Sequence, residues 1–467
     1  MDTKTRVISK PELDVQLAYC DKIQDYWHQR DTVPCAYVET YGCQQNEADS
    51  ERIRGILAQS GYNMTDTAEG ADVVVMNTCA IREHAEQRVF GNLGALTHTK
   101  RRHPRQKIFL CGCMAGQAHV VERIKKSYPH VDGVFSTHHL WQFAELLHRV
   151  LTTGKRTYFV EDEAGSIAEG LPQKRDNTLK AWVSIMYGCN NFCTYCIVPY
   201  VRGRERSRKA ADILAECRAV IEAGAKEITL LGQNVNSYGK DLDENIDFSD
   251  LLTQIAQIPG DFLIRFMTSH PRDASQKLFD TMAASPKIAK QLHLPFQSGS
   301  SRVLKAMNRH YDREKYLELI TYAKSVMPDL VLTSDVIVGF PGETEAEFEQ
   351  TISLIQQVRY DSLFTFIFSP RTGTPAAKME DPTPKEEKNR RFDALCALQN
   401  EISVQIHQGY IGKRLRCLVD GMDKNCLTAR TEGGRLVRFA GSESLIGTFQ
   451  EITVTGATTW SLTGEMN

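Results

Sequence analysis

The segment YGCNNFCTYC places Cys189, Cys193 and Cys196 in C-x3-C-x2-C spacing within a single loop. Three thiolates in one loop can hold three irons of a [4Fe–4S] cube and leave the fourth iron open to a substrate. A zinc site prefers four ligands in two pairs, and no partnering C-x2-C follows nearby. A second set is dispersed. Cys43 ends YVETYGC, Cys79 ends VVVMNTC and Cys113 ends IFLCGC, separated by 36 and 34 residues. Each segment reads as a strand, and parallel strands bring their carboxyl ends to one sheet edge, where these thiols would converge. One buried cysteine is ordinarily core filling. Three at equivalent strand ends favour a second three-thiolate cluster instead. Cys111 lies on the third strand as well, but Cys113 follows Gly112 at the tip and is the expected ligand. Cys20, Cys35, Cys217, Cys396, Cys417 and Cys426 lack such a pattern and default to structural roles.

The elements that must position these thiols can be read from hydrophobic periodicity. Residues 1–34 are polar, without a clear period, and read as an N-terminal extension outside the core. From 35 to 151 continuous apolar strands (36–42, 71–79, 107–113, 131–136) alternate with amphipathic helices (47–61, 81–96, 118–128, 139–151). That alternation argues a doubly wound parallel α/β sheet. Residues 152–180 are polar and aperiodic, a linker. A second alternation over 181–400 offers six strands, at 181–187, 226–232, 262–269, 290–296, 330–340 and 362–368. Six βα units are too few to close an eight-strand barrel, so a partial barrel is expected. Beyond a helical stretch near 384–408, the short alternating strands and glycine turns of 401–467 signal a small β-barrel.

Taken together, these motifs resemble the radical S-adenosylmethionine (SAM) methylthiotransferase family. Cys189, Cys193 and Cys196, with Tyr195 before the last, look like the radical SAM signature. The three-cysteine N-terminal domain and the final barrel, similar to a TRAM domain, extend the match from about residue 35 to the end. YGCQQNEADSE (41–51), NTCAIREHAEQRVFG (77–91) and LHLPFQSGSSRVLKAMNRHY (292–311) resemble the branch acting on isopentenylated tRNA adenosine; Gln45 departs from the Met usual there. The resemblance implies two [4Fe–4S] clusters and SAM as cofactors. One SAM would be cleaved at the Cys189/Cys193/Cys196 cluster to a radical that takes the C2 hydrogen of N6-isopentenyladenosine at tRNA position 37. A second SAM would methylate sulfur carried by the Cys43/Cys79/Cys113 cluster, and the methylthio group would pass to C2. Partners would be that tRNA, an electron donor such as a flavodoxin or ferredoxin, and a sulfur donor.

Further residues fit supporting roles beside these cofactors. Gly232, Gln233 and Asn234 end the second barrel strand and are candidates for the SAM amino-acid part. Gln297 and Ser298 follow the fourth strand. Asp335 on the fifth is a candidate for ribose hydroxyls, with Gly339 and Gly342 admitting adenine. Arg371, after the sixth strand, is a candidate substrate contact. VPYVRGRERSRK carries cations at 202, 204, 206, 208 and 209; Arg208 is a candidate for the SAM carboxylate, and at least two of the five should be solvated.

Composition bounds the partners. Hydrophobic residues make up 42% and charged residues 24%, and the net charge is −2. RNA must therefore be met by local patches, not by a global field. Residues 401–467 hold seven Lys/Arg against seven Asp/Glu, with basicity gathered at Lys413, Arg414, Arg416, Arg430, Arg435 and Arg438. KRRHPRQK (100–107) is a second basic candidate. No export signal and no run of 18 apolar residues is present, so a cytoplasmic, non-membrane enzyme is expected. The lack of a heptad or an open strand edge suggests a monomer. Two rival readings change the target or the class: methylthiolation of threonylcarbamoyl-adenosine tRNA or of a ribosomal protein, and a non-catalytic Fe–S sensor that binds RNA.

Overall fold

The computed structural model describes residues 6–80, 83–161 and 165–466. The chain divides into two compact units, described in turn. The first comprises Met1–Asp176, Met186–Asn190 and Cys196–Arg208; the second comprises Asn177–Ile185, Asn191–Tyr195 and Lys209–Asn467.

In the first unit six strands form one sheet: β1 (Cys35–Thr40), β2 (Asn63–Met64), β3 (Val73–Thr78), β4 (Lys107–Gly112), β5 (Gly133–Phe135) and β6 (Thr157–Phe159). Their spatial order is β2-β1-β3-β4-β5-β6, and every pairing is parallel. All six residues of β3 are buried. A strand covered on both faces needs apolar residues at every position, which is why VVVM reads as a continuous run and does not alternate. The order reverses direction between β1 and β3. Such a switch point opens a crevice at the strands' carboxyl ends, where Cys79 directly follows β3 and Cys43 lies three residues past β1.

Residues near the N-terminus behave differently from the expectation. Lys10–His28 is a helix, opened by a capping box between Ser9 and Glu12. It buries Leu13, and its Cys20, Ile23 and Trp27 join the same apolar cluster as Ile53, Ile56 and Phe143. Its apolar positions are few and interrupted by Gln16 and Tyr19, so the period was too weak to see. The 152–180 stretch also yields structure. Thr157–Phe159 adds the sixth strand, and Ser166–Ile167 pairs in parallel with Arg6–Val7. Three-residue and two-residue strands leave no measurable periodicity. Residues 162–164 of that stretch, and Ile81 and Arg82 at the start of the expected 81–96 helix, lie outside the described residues.

In the second unit six parallel strands follow one another: β7 (Lys180–Ser184), β8 (Glu227–Leu231), β9 (Leu263–Phe266), β10 (Gln291–His293), β11 (Val331–Val338) and β12 (Ser362–Ile367). Two three-stranded sheets, β9-β8-β7 and β10-β11-β12, are joined by a single parallel bridge between Ile264 and Ile288. This is the open, partial barrel expected from six βα units. Lys385–Gln408 then leads into five strands, β13 (Arg414–Asp423), β14 (Cys426–Thr431), β15 (Leu436–Phe439), β16 (Phe449–Ala457) and β17 (Ser461–Met466). They close into a barrel of order β13-β14-β15-β17-β16, around Cys417, Val419, Leu427, Val437 and Ile452. Arg265 on β9 fastens this barrel to the larger one. It donates to the carbonyls of Thr431 (2.9 Å) and Glu432 (2.6 Å) and to the Glu227 carboxylate (2.7 Å).

Candidate iron–sulfur and SAM sites

At the switch point of the first unit, Cys43 is the N-cap of the helix Gln44–Gln59, and Cys79 and Cys113 directly follow β3 and β4. Burial pushes the Cys113 thiol up to about 12; Arg202 pulls against that rise, while Cys79 and Cys43 lie close enough to add to it. The three thiols therefore share one electrostatic neighbourhood. Gly42 makes the approach possible: its φ is +143°, and a Cβ there would meet the Cys79 Cβ at 2.7 Å. Cys111 instead joins the apolar core with Ile53, Val73 and Val75.

Asn46 ties two of the three loops together. Its Oδ1 accepts from the Cys43 thiol (3.4 Å), and its Nδ2 donates to the Asn77 side chain (3.1 Å) and to the carbonyl of Thr78, just before Cys79 (3.0 Å). Arg202 completes the set. Its Nε donates to the Cys113 sulfur at 3.0 Å, and its Nη2 to Asp49 (2.9 Å) and Asn46 (3.3 Å). Burial opposes the charge on Arg202, but Cys113, Asp49 and Cys43 outweigh it and hold the guanidinium protonated. Metal ligation requires thiolates, and a buried cation beside them favours that state. The donor set fits a three-thiolate [4Fe–4S] cube. Among the described residues no three His, Cys, Asp or Glu side chains are close enough for a single ion; a cube carries its irons at separate corners and spaces its thiolates more widely.

The loop 188–196 carries the second set. In the first unit, the Cys189 amide donates to the carbonyl of Gly203 (3.1 Å), and Asn190 and Glu205 exchange hydrogen bonds of 3.1 and 3.3 Å. In the second unit, the Thr194 amide and hydroxyl donate to the carbonyls of Met307 and Ala306, both at 3.0 Å. Buried Arg309 donates to the Cys193 sulfur and the Tyr195 hydroxyl, each at 3.4 Å, and to the carbonyl of Pro295 at 2.8 Å. Tyr195 packs against Phe340 and Phe368.

At the carboxyl ends of β8 and β9 several buried polar atoms have no hydrogen-bond partner: Asn234 Oδ1, both side-chain polar atoms of Asn236, Ser269 Oγ and His270 Nε2. Burial pushes the His270 pKa down, with Arg309 and Arg272 adding to the effect, so the ring is neutral. Its Nδ1 accepts from the Arg272 amide at 3.1 Å, which leaves Nε2 as the donor. Thr268, just before, holds φ at +73°. Orphaned polar atoms of both signs at the ligand-bearing end of a βα array suit a small zwitterion such as the amino-acid part of SAM.

The remaining candidates are placed as follows. Gly232 is buried and Gln233 half-buried after β8, and Asn234 Nδ2 donates to Asp273 (2.7 Å). Gln297, at φ +65°, donates its amide to the carbonyl of Asp335, and Ser298 Oγ accepts from the Ser300 amide. The Asp335 carboxylate faces His293 Nε2 at 3.5 Å. The missing Cβ of Gly339 points at the Lys388 methylenes, 2.6 Å away, so this glycine makes room for a lysine. Beside Gly342 the space is open. The carbonyl of Arg371 accepts from Thr374 in a turn. Arg208 forms a bidentate pair with Glu169, 2.6 and 2.7 Å. Of the five cations after Cys196, Arg204 and Lys209 are exposed, whereas Arg202, Arg206 and Arg208 are buried. The spacing missed Asn46, Arg202, Asn236, Ser269, His270 and Arg309, because their partners are remote in sequence.

The basic residues singled out for RNA are largely answered by carboxylates. Arg414 pairs with Glu451, Arg416 with Asp261, Arg430 with Asp420, Arg438 with Asp423 and Arg435 with Asp361. Within 100–107, Lys100 meets Asp132 and Arg102 meets Glu69. No helix among the described residues is long and apolar enough to cross a membrane.

Family models match in three places: the radical SAM superfamily over residues 183–355, the uncharacterized protein family UPF0004 over 35–136, and the TRAM domain over 408–466. A radical SAM methyltransferase from Kitasatospora setae shares the fold, at TM-score 0.55 and 13% identity over 74% of this chain and 77% of that one. Fold and cysteine loop thus define a radical SAM enzyme with an added three-cysteine α/β domain and a terminal TRAM barrel. The tRNA-2-methylthio-N(6)-dimethylallyladenosine synthase of Acetivibrio thermocellus is 47% identical over all of this chain and 98% of its own length. Those of Clostridium botulinum (strain Langeland) and Clostridium perfringens (strain SM101) are each 50% identical over 92% of this chain and 96–97% of theirs. The chain belongs to the tRNA-2-methylthio-N(6)-dimethylallyladenosine synthase family.

Proposed function

We propose that this enzyme adds a methylthio group to C2 of N6-isopentenyladenosine at position 37 of tRNA, with SAM and two [4Fe–4S] clusters as cofactors. Cys189, Cys193 and Cys196 hold one cluster, and Cys43, Cys79 and Cys113 hold the other. When bound, these groups supply the radical hydrogen abstraction and the sulfur transfer. The protein supplies alignment and shielding. In the first unit Asn46 holds the Cys43 thiol and the backbone before Cys79, and Arg202 holds the Cys113 sulfur. In the second, Arg309 orients Cys193 and Tyr195, and Asn234, Asn236, Ser269 and His270 receive SAM, with Gly232, Gln233, Gln297, Ser298, Asp335 and Gly339 around it. Arg208, paired with Glu169 in the first unit, is the candidate for the SAM carboxylate. Arg371 contacts substrate.

In this reading residues 35–151 are the sulfur-donating domain, 181–400 the radical domain and 401–467 the RNA-binding barrel. The enzyme acts as a cytoplasmic monomer served by a flavodoxin- or ferredoxin-type electron donor and a separate sulfur donor. With the barrel's arginines paired, base stacking supplies much of its grip on RNA; Trp460, 73% exposed on the β16–β17 turn, is the natural platform.

The observation that carries the proposal is the gathering of Cys43, Cys79 and Cys113 at one switch point in a chain that also holds the radical SAM loop. Anaerobic reconstitution tests it. Wild type should bind about eight irons, and a Cys43/Cys79/Cys113→Ala variant about four. Nucleoside analysis of isopentenylated tRNA should show the 2-methylthio product with wild type only. About four irons on wild type would make the N-terminal thiols core residues and remove the sulfur donor.

A further inference from the structure

Arg202 stands out in the first unit because it is a full positive charge, 4% exposed, inside a site otherwise made of thiols, amides and one carboxylate. It does not belong to the sheet that carries the cysteines. It follows the short helix Val198–Val201, whose Val201 packs with Ile197, Ala80 and Cys113. The Val201 carbonyl accepts from Thr137 Oγ1 at 3.1 Å, and the Arg202 carbonyl accepts from Arg206 Nη2 at 3.1 Å. The backbone that presents the guanidinium is thus held on both sides. Its planar fork reaches three groups at once, Cys113, Asn46 and Asp49, the last shared with buried Arg52 at 3.6 Å. A lysine offers one rotatable point charge and cannot span them.

We infer that Arg202 is a positioning residue that sets the reduction potential of the cluster held by Cys43, Cys79 and Cys113, through its hydrogen bond to the Cys113 sulfur. The inference rests on the reading that these cysteines hold a cluster. A cluster gains negative charge when it is reduced, and a cation with an N–H aimed at a ligating sulfur favours the reduced form. Asp49 holds the guanidinium in place while Nε faces the sulfur, so the donor is fixed in advance and needs no reorganisation on electron uptake. Removing it should disfavour reduction by about tenfold, a shift of about 59 mV to more negative potential for one electron.

The test uses the full chain with Cys189, Cys193 and Cys196 replaced by alanine, so that only the N-terminal cluster forms. This background should bind about four irons; none bound means that the cluster reading itself fails, and the inference with it. Arg202→Met and Arg202→Lys are then compared by redox titration followed by EPR, and by electron–nuclear double resonance of the reduced cluster after exchange into D2O. The expected result is retained iron, a midpoint moved negative, more in Met than in Lys, and loss of one exchangeable-proton coupling in Met. Retained iron with a wild-type midpoint overturns the inference. If Arg202→Met loses its iron, Arg202→Lys decides: a negative shift supports the inference and an unchanged midpoint overturns it. Loss of iron in both shows a structural role alone and also overturns it.

Discussion

The two cysteine sets reach similar chemistry by opposite routes. Cys189, Cys193 and Cys196 lie in one loop, gathered by their C-x3-C-x2-C spacing. Cys43, Cys79 and Cys113 come from three strand ends and meet only because β1, β3 and β4 are adjacent in the folded sheet. Each set nonetheless includes one sulfur that accepts a hydrogen bond from a buried arginine remote in sequence, Arg309 to Cys193 and Arg202 to Cys113. The loop site depends on spacing and the sheet site on topology, while both use a cation to compensate negative charge out of water.

The comparison breaks most sharply at the ligands. Cys193→Ala should abolish SAM cleavage and methylthiolation together. Cys113→Ala should abolish methylthiolation but leave 5′-deoxyadenosine formation from SAM measurable. Chromatography of both products decides it; equal loss of both in Cys113→Ala would show that the two sets do not work as separable parts.

Arg309→Met comes next. It strips donors from Cys193, Tyr195 and the Pro295 carbonyl at once, and each buried acceptor left unsatisfied costs about 1–3 kcal/mol. A lowered thermal midpoint with a weakened radical cluster signal is expected; unchanged values would make the arginine incidental. Backbone geometry gives a smaller effect. Gly42→Ala puts a Cβ 2.7 Å from that of Cys79, at φ +143°, and should cost about 2–4 kcal/mol. Iron should be lost from the N-terminal set only. Gly188→Ala, whose Cβ would meet the Arg204 carbonyl at 1.9 Å, should do the reverse, and iron counts in the two variants tell them apart.

How much of this was legible follows from where the information lies. The C-x3-C-x2-C loop was readable because its spacing is the site. The N-terminal set was readable one step removed, since continuous apolar strands announce a parallel sheet and its carboxyl edge collects whatever follows each strand. Cys113 could be preferred over Cys111 from Gly112 alone. Arg202 could not be found this way: within VRGRERSRK it is one cation of five, and only folding shows that it is buried against Cys113 while Arg204 stays in water. The neighbour of Gly339 was hidden for the same reason. The glycine's missing Cβ serves Lys388, 49 positions away, and no local pattern encodes that contact. The helix Lys10–His28 escaped because its buried face is narrow and interrupted.

The mildest test compares buried carboxylates. Glu51, on the helix that begins at Cys43, and Glu343, in the turn after β11, are each pushed up to about 7, chiefly by burial. Around Glu51 stand Arg175, Arg54 and Arg52; Glu343 has the Gly339 amide at 2.8 Å and Arg391 at 3.6 Å. A carboxyl whose pKa is higher folded than unfolded binds more protons in the folded state, so stability falls as pH rises from the ordinary value near 4.5 to about 7. Gln replaces the acid with a neutral group that does not titrate. Glu51→Gln and Glu343→Gln should therefore each flatten the loss of unfolding free energy between pH 5 and 8, read by urea titration, by about 1–2 kcal/mol after allowance for the opposing cations. Flattening in Glu343→Gln alone would mean that the three arginines keep Glu51 ionised. Glu51 would then be held charged by Arg52 and Arg54 on its own helix together with Arg175, whereas Glu343 has Arg391 opposite it.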